Sequence, residues 1–117
     1  MSVTPNSIML RGIIAFCSLL LTAIVHAAPI VEIEIREHLF YPAEIEIPAD
    51  TKVKLVIINQ DSSAEEFESY ELNREKVIPG GSKGIIFIGP LNPGVYPFFG
   101  EFFPKTAQGK VIVKEAK

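Results

Sequence analysis

The side chains with the most chemistry in this chain are carboxylates. Glu65, Glu66, Glu68, Glu71 and Glu75 fall within eleven residues, and Glu101 follows the aromatic stretch Tyr96–Phe99. Crowded carboxylates repel one another unless a cation or a Lys/Arg side chain neutralises them. The run is therefore either a cation-binding edge or a solvated acidic face paired with Arg74, Lys76 and Lys105. His38, in Arg36-Glu37-His38-Leu39-Phe40-Tyr41-Pro42, is the one imidazole outside the N-terminal segment. It is either an ordinary surface or capping side chain or a ligand for copper, iron or zinc. No nucleophile lies in a histidine-activated arrangement, no glycine-rich phosphate loop opens a helix, and no Cys/His metal spacing is present. Hydrolase and transferase chemistry are excluded on that ground, and no electron-acceptor site for an independent oxidase can be named.

The N-terminus sets the compartment expected for these groups. Arg11 precedes an apolar run from Gly12 to Val25, broken by Ser18 and Thr22, and Val25-His26-Ala27-Ala28 follows. A basic flank, an apolar core too short to span a bilayer and a small-residue site read as a secretory signal peptide, residues 1–27, cleaved after Ala27. The alternative is an uncleaved anchor. Phe16 is too bulky before Cys17 for a lipoprotein signal. Cleavage leaves residues 28–117 as one domain and a periplasmic location in a diderm host. It removes Cys17, the only cysteine, so the mature domain has no thiolate and no disulfide. It also removes Arg11, leaving 10 Lys+Arg against 14 Asp+Glu, a net charge of 10 − 14 = −4. That mild acidity and the scattered basic residues argue against nucleic acid as a partner.

The elements that must position these side chains are strands. Val31–Arg36 and Glu44–Ile47 alternate apolar and charged residues at period two, the pattern of half-buried strands. Thr51–Asn59 is β-branched and increasingly apolar, and Asn59–Ser63 breaks it with side chains that bond their own backbone. Glu65–Val77 reads as an irregular strand followed by a loop. On such a strand Glu66 and Glu68 share one face and Glu65 takes the other. Gly84–Ile88, Tyr96–Phe99 and Gly109–Lys114 complete about seven short strands separated by Pro/Gly turns. This spacing predicts an all-β sandwich, with Ile33, Ile35, Phe40, Val53, Leu55, Ile57, Phe67, Ile86, Ile88, Tyr96, Phe98 and Ile112 in its core.

Several framework segments resemble the cupredoxins. They are Phe40-Tyr41-Pro42 with Ile45–Ala49, Val53–Asn59 with Asp61, Pro79-Gly80, Leu91–Tyr96 and the closing Gly109–Val113. The resemblance implies a cupredoxin-like Greek-key β-sandwich. The run EEFES…LNREKVIPGGSKGIIFIGPL…FFGEF…P.TAQG is similar to the small EfeO-type cupredoxin-like proteins of periplasmic ferrous-iron uptake. That resemblance implies a metal-binding accessory working beside a periplasmic iron-binding protein and an iron permease, with iron or copper as the ion and a role in iron(II) oxidation or electron transfer. Carried over position by position, Glu65 stands where blue-copper cupredoxins have a histidine, Gly100 at the cysteine, Phe103 at the C-terminal histidine and Gln108 at the methionine. The iron-uptake group has Gly-Glu-Phe-His-Pro where this chain has Gly100-Glu101-Phe102-Phe103-Pro104. A type 1 blue copper is thereby excluded, because no thiolate is available.

The donors that remain are Glu66, Glu68, Glu101, His38 and Glu65. Such a set favours iron or manganese over copper(I), with copper(II) still open. The competing expectation is a metal-free interaction module docking on a permease or another protein through Phe99, Phe102 and Phe103. Against it stands the expectation that at least two of these three aromatics cap the core.

Overall fold

The computed structural model describes residues 18–20 and 27–115. The expected leader, residues 1–27, therefore lies almost wholly outside the described residues. Among the described residues no helix is long and apolar enough to cross a membrane.

Nine strands form two sheets: β1 (Ile30–Arg36), β2 (Leu39–Tyr41), β3 (Glu44–Pro48), β4 (Val53–Asn59), β5 (Glu65–Ser69), β6 (Arg74–Ile78), β7 (Lys83–Ile88), β8 (Gly94–Gly100) and β9 (Gln108–Lys114). One sheet runs β2-β1-β4-β7 and the other β3-β9-β8-β5-β6. β1 lies parallel to β4 and β3 parallel to β9, and the remaining pairs are antiparallel. The parallel pairs arise because the chain changes sheet between β2 and β3 and again between β3 and β4. The expected all-β sandwich is thus present.

Alternation accounts for the core. Ile33 and Ile35 of β1, Val53, Leu55 and Ile57 of β4, and Ile86 and Ile88 of β7 face Ile45, Ile47, Phe67, Phe98, Val111 and Val113 of the other sheet. Phe67 and Phe98 stack with centroids 4.9 Å apart, and Phe40 meets both edge-on at 6.2 and 5.0 Å. Offset and edge-on aromatic contacts of this kind stabilise beyond the area they bury.

The structure corrects the sequence-based reading in three places. Two strands had no periodic signal: β2 has three residues, and β6 is an edge strand whose first four residues are exposed. A three-residue strand is too short to show a period, and β6 buries only Ile78, so neither displays alternation along its length. The second correction concerns β9, where Val111 and Val113 point inward and Ile112 outward beside Val95 and Glu46. Three consecutive apolar residues do not reveal which parity faces the core, and a one-residue shift exchanges the faces. The third concerns the aromatics. Phe98 points inward, so Phe99 points outward against Tyr70 at 5.5 Å, while Phe102 is 48% exposed and Phe103 half-buried. None of these three belongs to the buried core.

Candidate functional site

β5 separates the acidic residues by parity. Glu65, Phe67 and Ser69 are buried, while Glu66 and Glu68 lie on the outer, half-exposed face. A turn at Tyr70–Asn73 folds β6 back along β5. Ser69 Oγ accepts from the Leu72 N–H at 3.1 Å and donates to Pro97 O at 2.7 Å, and Asn73 takes the left-handed conformation (φ 52°). The resulting register sets Glu68 directly opposite Glu75. Carboxylate oxygens of Glu66, Glu68 and Glu75 all come within 4.8 Å of one another. This is the one group of three or more His, Cys, Asp or Glu side chains among the described residues with that proximity.

Glu101 stands at the rim of this cluster. Its N–H donates to Glu66 O at 2.8 Å, and its charge acts on both Glu66 and Glu68. No Lys or Arg among the described residues pairs with Glu66, Glu68 or Glu75. Elsewhere on the same sheet outward glutamates do have partners: Glu44 with Lys110 at 3.3 Å and Glu46 with Lys114 at 2.9 Å. None of the cations that the sequence offered as neutralisers, Arg74, Lys76 and Lys105, forms an ion pair with the cluster, although Arg74 borders the same depression as Glu68 and Glu75. Lys76 lies opposite Phe67 in the ladder. Arg74 donates to Phe87 O, Leu72 O and Asn73 O, and Lys105 lines a different depression.

Like charges opposite each other across strands are destabilising. The carboxyls of Glu66 and Glu68 are both held above their ordinary value of 4.5, first by partial desolvation and then by their acidic neighbours, Glu75 foremost. A carboxyl raised in the folded state binds more protons folded than unfolded, so stability falls as pH rises through its folded pKa. The metal-free protein should therefore gain stability from these two groups on acidification from neutrality toward pH 4.5. Thermal unfolding across that range tests this: Glu68→Gln should raise the midpoint at neutral pH and flatten its pH dependence.

Glu65 and His38 sit elsewhere. Glu65 is 1% exposed, and its Oε1 accepts the N–H groups of Glu66 and Phe102, each at 2.9 Å. His38 lies in the β1–β2 turn with a left-handed backbone (φ 60°), its ring stacked on Phe103 at a centroid distance of 3.5 Å and 14° between planes. Asp61 organises that turn. Its carboxylate accepts the N–H groups of Glu37 and His38 at 2.7 and 3.0 Å and lies 3.5 Å from His38 Nδ1. Thr106 Oγ1 donates to His38 O at 2.7 Å, tying the turn to the β8–β9 loop. His38, Phe102, Phe103, Pro104, Lys105 and Thr106 line a largely apolar open depression of about 320 Å³.

Of the five donors named from the sequence, the structure gathers Glu66 and Glu68, with Glu101 beside them. It places Glu65 on the inner face and His38 at the Phe103 stack. Glu75 completes the cluster. It was counted among the crowded carboxylates but assigned to a loop, and the signal that could have found it is the hairpin: a turn at Tyr70–Asn73 puts β6 in register with β5.

Residues 8–113 match the cupredoxin-like domain family. The chain belongs to that family. One relative is the uncharacterized protein RP394 of Rickettsia prowazekii (strain Madrid E), 45% identical over 85 residues, covering 73% of this chain and 68% of that protein. Among solved structures, this cupredoxin-like chain is similar to auracyanin A, a "blue" copper protein from Chloroflexus aurantiacus (TM-score 0.64, 13% identity, covering 75% of this chain and all 100% of that one). It is also similar to the purple cupredoxin from Nitrosopumilus maritimus (0.56, 22%, 72% and 99%). A third is the metal-binding domain of the Cu(I)-exporting P-type ATPase CopA of Streptococcus pneumoniae D39, solved with Cu(I) (0.63, 17%, 74% and 85%). At these identities the likeness carries the fold.

The cupredoxin-like residues do not fit a type 1 copper. A side chain at Gly100 would run into the Glu65 carboxyl, its Cβ only 2.5 Å from Cδ and Oε2. Phe103 is engaged with His38, and Gln108 turns its amide away to donate to Pro104 O at 3.1 Å. Neither Phe103 nor Gly100 has a donor atom on its side chain.

Proposed function

We propose that this cupredoxin-like protein is a periplasmic metal-binding accessory of iron uptake, with its ion held on the outer face of the β5–β6 hairpin by Glu66, Glu68 and Glu75 and with Glu101 at the rim. The observation that carries the reading is the convergence of three carboxylates that no basic side chain among the described residues neutralises. A cation removes the repulsion between them. Oxygen donors of this charge suit a hard ion, iron foremost, with copper(II) a competitor through its high intrinsic affinity. Carboxylate oxygens also stabilise iron(III) over iron(II), which favours oxidation of a ferrous ion bound there. The resemblance to the iron-uptake group supplies the expected partners, a periplasmic iron-binding protein and an iron permease. The metal-bearing cupredoxins to which the chain is similar support metal binding or electron transfer as the general role.

The test is a titration of the metal-stripped protein with iron(II), iron(III) and copper(II). Removal of a charged ligand should weaken an oxygen-ligand site by about one to two orders of magnitude. Glu68→Gln/Glu75→Gln should therefore bind at least about tenfold more weakly than the unsubstituted protein. His38→Ala should bind as tightly as the unsubstituted protein. Equal affinity in the double variant and the parent overturns the site. A second reading rests on the depression lined by His38, Phe102 and Phe103: a metal-free module that docks a permease or partner protein through this aromatic end. Absence of tight binding of every ion in the same titration favours this second reading over the first.

A further inference from the structure

A metal at the position that blue-copper cupredoxins use would cross-link β5 to the β8–β9 loop through its ligand bonds. The residues here cannot hold one, and we propose that Glu65 performs the cross-linking instead: its buried carboxylate is the internal tie that fastens the loop to the sheet without metal.

Three observations carry this. First, Oε1 gathers the N–H of Glu66, next to it on β5, and the N–H of Phe102, 37 positions away at the start of the loop, each at 2.9 Å. At 1% exposure water does not compete for these two bonds. Second, the carboxylate occupies the space that a side chain at position 100 would need. A Cβ built on Gly100 would stand 2.5 Å from Cδ and Oε2 of Glu65 and 2.6 Å from Ala107 Cβ. The φ of Gly100 is not in the left-handed region, so its glycine is required by volume and not by backbone conformation. Glu65 and Gly100 are thus a complementary pair. Third, the loop closes around this tie: Gly100 N–H donates to Ala107 O at 2.8 Å, Glu101 N–H to Glu66 O at 2.8 Å and Ala107 N–H to Phe103 O at 2.9 Å. Oε2 finds no hydrogen-bond partner, which is the cost of setting a two-oxygen group in a cavity with donors on one side.

The proposal concerns the inner face of β5 and is independent of ion binding on the outer face. It is tested by amide hydrogen exchange and thermal unfolding of the full protein and of Glu65→Ala, Glu65→Gln, Gly100→Ala and Glu65→Ala/Gly100→Ala. Loss of this buried hydrogen bond should accelerate exchange of the Phe102 amide by at least about tenfold in Glu65→Ala. Glu65→Gln, which keeps an acceptor oxygen, should retain most of the protection. Treatment with a chelator should leave Phe102 exchange in the unsubstituted protein unchanged, whatever it does to the midpoint through the outer-face carboxylates. Gly100→Ala should lower the midpoint more in the unsubstituted background than in Glu65→Ala, since the clash partner has then been removed.

Unchanged Phe102 exchange in Glu65→Ala overturns the proposal. So does loosening of the loop by the chelator, or an equal loss from Gly100→Ala in both backgrounds. If Glu65→Ala does not fold, the Glu65→Gln and chelator arms decide alone.

Discussion

Phe67→Ala is expected to destabilise the domain by about 3–5 kcal/mol, the usual cost of truncating a fully buried aromatic. Phe67 is 0% exposed and stacks on Phe98 while meeting the edge of Phe40, so three of the core's large rings share this contact. Its neighbours on β5, Glu66 and Glu68, are fixed by hydrogen bonding to β6 and β8, which prevents the strand from collapsing into the void. For a domain of this size the loss corresponds to a fall in melting temperature of more than about 12 °C. Denaturant unfolding followed by far-UV circular dichroism measures it. Phe67→Leu, which restores most of the volume, should recover over half of the loss, and a cost below about 1 kcal/mol for Phe67→Ala would mean that the packing is far looser than the ring geometry indicates.

Asn59→Leu is the second large effect. The side chain is 1% exposed and uses both ends of its amide: Nδ2 donates to Ser63 O at 2.9 Å and to Ile78 O at 3.1 Å, and Oδ1 accepts from Asp61 N–H at 3.0 Å. Leucine fills the same volume and satisfies none of them. Stranding a buried carbonyl and two loop groups should cost about 2–4 kcal/mol. The consequence does not stay local. Asn59 sets Asp61, Asp61 holds the backbone of Glu37 and His38 in left-handed conformations, and that turn aims the imidazole at Phe103. A stacked imidazole has ring protons displaced upfield in proton NMR, and in Asn59→Leu that displacement should collapse. Asp61→Ala should abolish the same signature at a smaller cost in stability. If both variants keep it, the relay from β4 to the β1–β2 turn does not position His38.

What could be read in advance follows from where alternation is imposed. β1, β3, β4 and β7 each press one face on the core. In β1 and β3 period two alone marks the inward residues, Ile33 and Ile45 among them, whereas β4 and β7 are legible as strands from their β-branched, apolar composition. β6 presses only Ile78 inward, so its pattern is that of a loop. In β9 the run Val111-Ile112-Val113 suits either parity, and only the pairing of Val111 with Tyr96 decides it. The candidate site divides the same way. The opposite faces of Glu65 and Glu66 were legible because both lie on one strand. The entry of Glu75 was not, since it depends on the register of a hairpin whose second strand has no periodic signal. His38 and the carboxylates were grouped because both are metal-ligating types, but His38 lies in the β1–β2 turn and Glu66, Glu68 and Glu75 on the β5–β6 hairpin. One-dimensional spacing does not report which elements share an end of the sandwich.

The seat of β9 between β3 and β8 has a consequence for the order of events in the cell. Glu44–Pro48 pairs with Lys110–Lys114 across more than half the length of the chain. Until residues 108–114 have been synthesised, the second sheet is split, with β3 stranded on one side and β8 open on the other. Without this segment the β2-β1-β4-β7 sheet and the β8-β5-β6 ladder have all their strands but β3 has no partner in its sheet, and contacts so distant in sequence form slowly. The strand that completes the sheet thus also acts as a timer. The second sheet closes only when this strand is in place between β3 and β8.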